Sequence, residues 1–221
     1  DDDGWEAVAR GLVARGVLRE DRSPAEDRTL DAVLGLVLGA GSSLRMTFVY
    51  ARGAGDSRHE VLWMEGDAVV RQTTTPDGVH RFMTGQRETV DELLALLIDV
   101  PTGGDSRPGE PLTLSGRAYA EAVSVTRSEG AAVAAQRHPA AAEFVAALAD
   151  AGRLTDVESR RRVGEDRYEG DALTLVQSPG AGLWLVRHEA PSEGDPDGAV
   201  QLRRIAPGTA RELVAALVAE A

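Results

Sequence analysis

The side chains best suited to acid–base or metal chemistry are four histidines: His59, His80, His138 and His188. None of them lies at helical ligand spacing from another histidine or from a matching pair of carboxylates, as a metal site on a helix requires. His59 and His80 are expected at the ends of neighbouring strands, where they either approach one another or remain surface groups. The histidine pattern therefore predicts no metal, no cofactor and no catalytic residue.

Motifs for nucleophilic catalysis or phosphate binding do not occur in the sequence. It contains no nucleophile elbow, no Walker loop and no strand-coupled dinucleotide loop. The glycines of segment 35–41 fall inside and at the end of a predicted helix, whereas a phosphate cradle must precede a helix. Ser124 and Ser178 have no base that the sequence can identify. We therefore predict that the protein is not an enzyme.

Charge and composition exclude several classes of partner. The net charge is -12, all 24 basic residues are arginine, and cysteine does not occur. A surface this acidic repels phosphate backbones, so we expect no nucleic-acid binding. No apolar run reaches the length of a membrane span, so we expect no membrane partner either. A chain without cysteine fits a reducing compartment.

One basic cluster, Arg160–Arg162, departs from the acidic average. In a strand Arg160 and Arg162 share one face, and acidic residues flank the cluster on both sides. The pattern favours a solvated sheet face, with an anion site as the alternative.

Two tryptophans remain as candidates for a binding surface. Trp63 lies in an alternating pattern that is typical of a core strand. Trp184 stands between Leu183 and another leucine, so alternation places it on the face opposite both. Such a ring either belongs to the core or anchors a partner contact. We predict that an apolar surface of Trp184, Leu183, Leu202 and Phe144 binds the partner.

The elements that must position these residues are organised around a repeated stretch. Gly78–Ile98 and Gly198–Val218 align without a gap at an offset of 120, with six of 21 positions identical. Each copy passes from a strand to a helix that starts with Thr-x-x-Glu, beginning at Thr89 and at Thr209. This is a capping box, which satisfies amide groups at a helix start. The match predicts an internal duplication.

Periodicity and turn residues predict the remaining elements. The predicted helices are Trp5–Val17, Pro24–Leu38, Val90–Ile98, Gly116–Arg137 with a kink at Gly130, Ala140–Ala151 and Ala210–Glu220. The predicted strands are Leu44–Arg52, His59–Glu65, Asp67–Thr74, Val79–Thr84, Leu154–Val163, Ala172–Gln177, Leu183–His188 and Val200–Arg204.

This order of elements predicts an α+β fold. Two helix/antiparallel-sheet halves related by a pseudo-twofold axis would form one central antiparallel sheet flanked by helices, which hides two otherwise exposed edges. The first half is residues 1–100, a linker of prolines and glycines spans 101–111, and the second half is 112–221. Together the halves are expected to form one composite domain.

Several segments resemble the EspG family, the type VII (ESX) secretion-associated chaperones of actinobacteria. The matching segments are Trp5-Glu-Ala-Val-Ala-Arg-Gly-Leu, the helix Leu30–Gly39, Leu93-Leu-Ala-Leu-Leu-Ile-Asp-Val-Pro101, and Leu112-Thr-Leu-Ser115 leading into Arg117-Ala-Tyr-Ala-Glu-Ala. The resemblance implies a central antiparallel sheet flanked by helical bundles. It also implies a cytoplasmic protein that holds PE/PPE-like or WXG-type helical secretion substrates.

The resulting expectation is a chaperone-like binding protein without catalysis. One alternative is a small-molecule-binding or enzymatic domain with a pocket between the halves. Another is an oligomerising scaffold, for which a homodimer is the simplest form. A chaperone would show an exposed apolar patch, whereas an enzyme would show convergent polar groups in a concave pocket.

Overall fold

The computed structural model describes residues 33, 35–37, 40–50, 57–74, 78–87, 90, 108–165, 167–189 and 198–220. The chain divides into two compact units, Asp1–Gly39 and Ala40–Ala221. In the first unit Val33 and residues 35–37 are helical, within the helix predicted for Pro24–Leu38. The rest of that unit, including the predicted helix Trp5–Val17, lies outside the described residues.

The second unit contains ten strands that form a single antiparallel sheet in the described part of the chain. They are β1 Ser42–Tyr50, β2 Ser57–Glu65, β3 Ala68–Thr74, β4 His80–Gln86, β5 Leu112–Ser115, β6 Arg153–Arg162, β7 Tyr168–Glu169, β8 Ala172–Ser178, β9 Gly182–His188 and β10 Ala199–Ile205. The order across the sheet is β4-β3-β2-β1-β6-β8-β9-β10-β5, and β7 pairs with the end of β6.

Helices connect and cover the strands of the second half. They are α1 Gly116–Ser128, α2 Ala131–Arg137, α3 Ala142–Ala149, preceded by a 3-10 turn at Pro139–Ala141, and α4 Pro207–Glu220. The Ser115 hydroxyl caps α1 by accepting a hydrogen bond from the Ala118 amide at 3.2 Å. Gly130, with a φ of 93°, separates α1 from α2 because this backbone conformation cannot continue a helix.

The sheet is symmetric in its strand order about the pair β1–β6. Two four-strand meanders, β1–β4 and β6–β8–β9–β10, run outward from this pair. β1 and β6 pair antiparallel from Ser42↔Arg161 to Tyr50↔Arg153. This register joins the two half-sheets along a full strand and removes one exposed edge from each.

The two faces of the sheet carry separate hydrophobic clusters. On the first, which we call the α4 face, Leu44, Leu62 and Leu175 pack with Val214 and Leu217 of α4. On the second, the bundle face, strand residues of the second half pack against α3, and a further cluster joins α1, α2 and α3 to one another. The α+β fold with a central antiparallel sheet flanked by helices is therefore confirmed.

Two local predictions need correction, and the short strand β7 was not predicted. The long helix predicted for Gly116–Arg137 is two helices, because the backbone breaks at Gly130 rather than bending there. The final helix begins at Pro207, so Thr209 lies within its first turn and the predicted capping box is wrong. Proline suits the first turn because its missing N–H would have no partner there. The short strand β7 carries too few residues to show a periodic pattern.

Some predictions fall outside the described residues. Thr89 and most of the helix predicted for Val90–Ile98 are among them, so the matched caps of the two copies cannot be superposed. Residues 101–107 of the predicted linker are also outside. The duplication and the boundaries of the two halves stay predictions.

Candidate functional site

The four residues predicted to bind a partner all lie in the interior. Trp184 is 6% exposed, Leu183 3%, Phe144 1% and Leu202 0%. Alternation places Leu183 on the α4 face and Trp184 on the bundle face, as predicted. The prediction that these side chains form an open apolar surface is wrong. Helix α4 packs against the face that holds Leu183, and α3, which carries Phe144, packs against the face that holds Trp184 and Leu202.

An aromatic cluster holds the Trp184 ring in place. Its Nε1 donates a hydrogen bond to the Ala181 carbonyl at 3.2 Å, and the ring meets Phe144 edge-on with centroids 5.7 Å apart. Tyr119 of α1 contacts Phe144 at 6.0 Å and His188 at 5.3 Å. Burial, with a smaller contribution from a nearby carboxylate, raises the pKa of Tyr119. The cluster therefore fixes α1 and α3 on the sheet.

Exposed large apolar side chains in the described residues occur at two places. Val79, Phe82 and Met83 lie on or beside β4 and are 37%, 38% and 63% exposed. Val163 and Tyr168 flank the hairpin that joins β6 to β7. Two candidate sites follow, which we call the β4 edge, comprising residues 79–86, and the hairpin cleft.

The β4 edge combines apolar and basic side chains on an acidic protein. The segment Gly78–Arg87 contains two arginines and a histidine but no carboxylate, although the chain carries a net charge of -12. Arg81 is exposed beside Met83 and lies opposite Thr73 of β3. Such a mixture of apolar and single-sign polar groups is typical of surfaces that bind proteins.

A buried carboxylate supports this surface from the neighbouring strands. Glu60 of β2 is fully buried and accepts hydrogen bonds from Arg58 Nε at 2.6 Å, Arg71 Nε at 2.8 Å and Thr73 Oγ1 at 2.9 Å. Burial by itself would raise the pKa of Glu60. The hydrogen bonds from Arg71 and Thr73 and the charges of Arg71 and Arg58 outweigh burial and hold this pKa below its ordinary value. Glu60 thus remains ionised and fixes Arg71 beside β4.

The hairpin cleft has a volume of about 610 Å³. Its lining comes from Glu158, Arg160, Tyr168, Glu169, Gly170, Asp171, Ala172, His188 and Glu189. All of these residues belong to the second half, so the cleft differs from the pocket predicted between the halves.

The charged groups of the cleft largely have ion-pair or hydrogen-bond partners, within the lining or beside it. Arg160 pairs with Glu158 at 2.8 Å, and Glu169 pairs with Arg167 at 2.6 Å. Asp171 pairs with Arg187, and Glu189 accepts a hydrogen bond from Gln201. Ion pairs at exposed positions such as these each contribute about 1 kcal/mol or less to stability.

The arginine cluster behaves as the sequence predicts. Arg160 and Arg162 are exposed strand residues, and Arg162 Nη2 donates to the Tyr168 hydroxyl at 2.9 Å. Its guanidinium also lies 5.6 Å from the centre of the Tyr168 ring. The solvated sheet face is the better description of this cluster.

The histidines do not converge. His59 lies on β2 and His80 on β4, with β3 between them, so the expectation of neighbouring strands is wrong. His59 Nδ1 is 3.2 Å from the Thr47 hydroxyl, and His80 Nδ1 is 2.9 Å from the Thr74 hydroxyl. Among the residues that the structure describes, no group of three histidines or carboxylates could hold a metal ion. The described helices also include none long and apolar enough to cross a membrane.

Sequence reasoning missed the β4 edge because it treated residues 79–84 as an ordinary strand. The offset of 120 places Phe82 on Leu202, two apolar residues at the same position of the repeat. Only the arrangement of the strands in the structure shows that Leu202 is buried and Phe82 is exposed.

The fold and these sites define an α+β protein built on one antiparallel sheet, with an exposed apolar strand edge. No protein-family model and no curated protein matches the chain. Among solved structures, it is similar to the Mycobacterium tuberculosis type VII secretion system chaperone EspG5, which was solved in complex with a PE25-PPE41 dimer. The TM-score is 0.60 with 14% sequence identity, over 96% of this chain and 83% of that chain. The likeness at this identity shows a common fold.

Proposed function

We propose that this chain is a cytoplasmic, chaperone-like binding protein for type VII (ESX) secretion substrates of PE/PPE type, and that it carries out no catalysis. The observation that carries the proposal is the fold shared with EspG5 over 96% of this chain. EspG5 was solved with a PE25-PPE41 dimer, so a related helical dimer is the partner class to test first. A WXG-type helical protein is the second.

The surface of the molecule supports a binding role. A chaperone needs an apolar patch that its own fold leaves open, and soluble proteins rarely expose large ones. The β4 edge exposes Val79 and Met83 on one face of the sheet and Phe82 on the other. The net charge of -12 keeps the free protein soluble around this patch.

The experiment is reconstitution with purified candidate substrates. PE/PPE-type dimers and WXG-type proteins encoded beside the gene for this chain would be mixed with it and measured by size exclusion with light scattering. EspG5 with PE25-PPE41 serves as the positive control. We expect a stable complex at about 10 µM, the range of a micromolar Kd. The same measurement shows whether the free chain is a monomer or a homodimer.

Failure of every candidate to form a complex at that concentration, while the control complex forms, would reject the proposed function. A complex that forms with the folded dimer, but not with a scrambled or unfolded substrate, would support it.

A second candidate function rests on the hairpin cleft. Its volume of about 610 Å³ and the mixture of apolar surface and charged side chains in its lining suit a small ligand. A thermal-shift screen of charged metabolites would test it, with His188→Ala as the variant. A ligand that raises Tm in the wild type and not in the variant would favour this function over the chaperone.

A further inference from the structure

The sulfur chemistry of this chain comes down to three methionines, because the sequence contains no cysteine. The structure describes all three: Met46 on β1, Met64 on β2 and Met83 on β4. They are 0%, 1% and 63% exposed. Methionine thioethers are common targets of oxidants, and reaction with a dissolved oxidant requires exposure. One methionine of the three is therefore open to oxidants in the solvent.

The other two methionines are held in the hydrophobic cluster on the α4 face. Met46 pairs across the sheet with Val157 of β6, and Met64 pairs with Val69 of β3, both of which belong to that cluster. An oxidant can reach these two sulfur atoms only when the cluster opens, and such openings are rare in a packed core. Burial therefore protects Met46 and Met64.

The surroundings of Met83 leave its side chain open. Opposite it on β3 lies Arg71, whose Nε is held 2.8 Å from a carboxylate oxygen of Glu60. Its neighbours on the same face of β4 are Arg81, which is exposed, and Gly85, which has no side chain. The hydrophobic clusters of the described residues do not include Met83. Its thioether is therefore accessible without any opening of the fold.

We propose that Met83 is a site of selective and reversible oxidation by hydrogen peroxide. The thioether sulfur attacks one peroxide oxygen, the O–O bond breaks, and sulfur keeps that oxygen as a sulfoxide while the other oxygen leaves as water. Sulfur gives up an electron pair, and the peroxide takes it up. A methionine sulfoxide reductase reverses the change, because its thiols are oxidised to a disulfide and the sulfoxide oxygen leaves as water.

Oxidation of Met83 changes the surface and leaves the core intact. The added oxygen turns a flexible apolar side chain into a polar one. Water solvates this oxygen at a position that is 63% exposed, so the fold keeps its stability. At Met46 or Met64 the same oxygen would enter an apolar cluster without a hydrogen-bond partner. This sensitivity of the β4 edge to oxidants goes beyond the proposed function and does not depend on it.

Peptide mapping by mass spectrometry follows each methionine separately while the full chain is treated with dilute hydrogen peroxide. Cleavage after arginine places the three methionines in different peptides, 46–52, 59–71 and 82–87. Fragment spectra distinguish Met64 from Trp63, which lies in the same peptide. We expect Met83 to gain an oxygen at least about tenfold faster than Met46 or Met64, because the buried pair must wait for local opening.

Three further measurements complete the test on the wild-type chain. In concentrated guanidinium chloride the three rates should agree within about twofold, since unfolding removes the difference in exposure. The thermal unfolding midpoint of the chain oxidised at Met83 should lie within about 3 °C of the untreated chain. Methionine sulfoxide reductases specific for each sulfoxide epimer, added together with a thiol, should remove the oxygen from Met83.

Met83→Leu removes the thioether and keeps an apolar side chain of similar volume. Its native peptide 82–87 should gain no oxygen during the time in which the wild-type peptide is oxidised. Met64→Leu is the matched control, because it makes the same change at a buried position. It should leave the rate at Met83 unchanged. Because the comparison of the three methionines uses the wild-type chain, it stands even where a variant folds poorly.

Oxidation of Met46 or Met64 as fast as Met83 in the native chain would overturn the inference. Protection of Met83 in the native chain equal to that of the buried pair would do the same. A larger fall in the unfolding midpoint on oxidation of Met83 would show that its side chain belongs to the packing, and a sulfoxide that the reductases cannot reduce would refute reversibility. Because these assays contain no secretion substrate, failure of the reconstitution does not affect them.

Discussion

At the scale of single residues, Glu60 shows how the sheet tolerates a carboxylate in its interior. Its oxygens accept hydrogen bonds from Arg58, Arg71 and Thr73, and these contacts lower its pKa despite burial. A group whose pKa is lowered by folding stabilises the native state above its unfolded pKa. That stabilisation is lost as the pH falls through the folded pKa.

Glu60→Gln should destabilise the protein by about 2 kcal/mol at neutral pH. The loss is smaller than the roughly 3–5 kcal/mol of a fully buried pair because Arg71 and Arg58 keep partial contact with water. Urea unfolding between pH 7 and pH 3 measures it. The difference between wild type and variant should stay constant above about pH 5 and shrink below about pH 4.3. A difference independent of pH would contradict this account.

Gly170 is required by a close backbone approach in the β6–β7 hairpin. A Cβ atom there would lie 1.9 Å from the Ser159 carbonyl oxygen. Gly170→Ala should therefore shift the hairpin and cost about 2 kcal/mol or more in the free energy of unfolding. Gly208 of α4 is the control, because nothing lies within 4 Å of its added Cβ. Gly208→Ala should be neutral or stabilise by up to about 1 kcal/mol. Equal effects of the two variants would reject the steric argument.

At the scale of elements, β9 shows how one strand serves two cores. Leu183 belongs to the cluster on the α4 face, and Trp184 to the cluster under α3. The alternation of the strand decides which side chain faces which helix. A substitution at Trp184 therefore tests packing on the bundle face alone.

Trp184→Ala should cost about 3–5 kcal/mol, because a nearly buried ring that packs on Phe144 leaves a cavity. Thermal unfolding followed by circular dichroism measures this loss. Met83→Ala on β4 provides the comparison, since its side chain is 63% exposed. It should change stability by about 0.5 kcal/mol or less. If the Trp184→Ala protein were stable but failed to bind substrate, Trp184 would be assigned to the partner surface instead of the core.

At the scale of the whole molecule, the sheet is continuous across both meanders. The cluster on the α4 face contains Leu44 and Leu62 from the first meander and Leu175 and Leu183 from the second. β1 and β6 pair along nine residues of β1. We expect a single cooperative unit in which neither meander is stable without the other, as the prediction of a composite domain requires.

The fragment 108–221 tests this expectation. Without β1, the edge of β6 and part of the α4-face cluster are exposed, so the fragment should be insoluble or self-associated. Size exclusion and a denaturant titration of the refolded fragment measure the outcome, with the full chain as control. A monomeric fragment with a sharp unfolding transition would show that the second half is an independent domain.

Local sequence patterns determined much of this architecture. Alternation in segments such as Ala172–Gln177 and Leu183–His188 located the strands within one or two residues, because strand periodicity is a local property. Short turns between consecutive strands indicated an antiparallel meander, because parallel neighbours need a much longer connection. The α+β class followed from the order of these elements. The start of α4 was misplaced because Pro207 and Thr209 are both acceptable near a helix start.

Only the tertiary structure decided which apolar residues are open to a partner. Alternation placed Trp184 opposite Leu183, but it carries no information on what covers each face. Burial of Trp184 depends on α3, and burial of Leu202 depends on β5, which is distant in sequence. Phe82, at the equivalent position of β4, has no such cover among the described strands and is 38% exposed. Non-local contacts therefore moved the candidate site from β9 to the β4 edge.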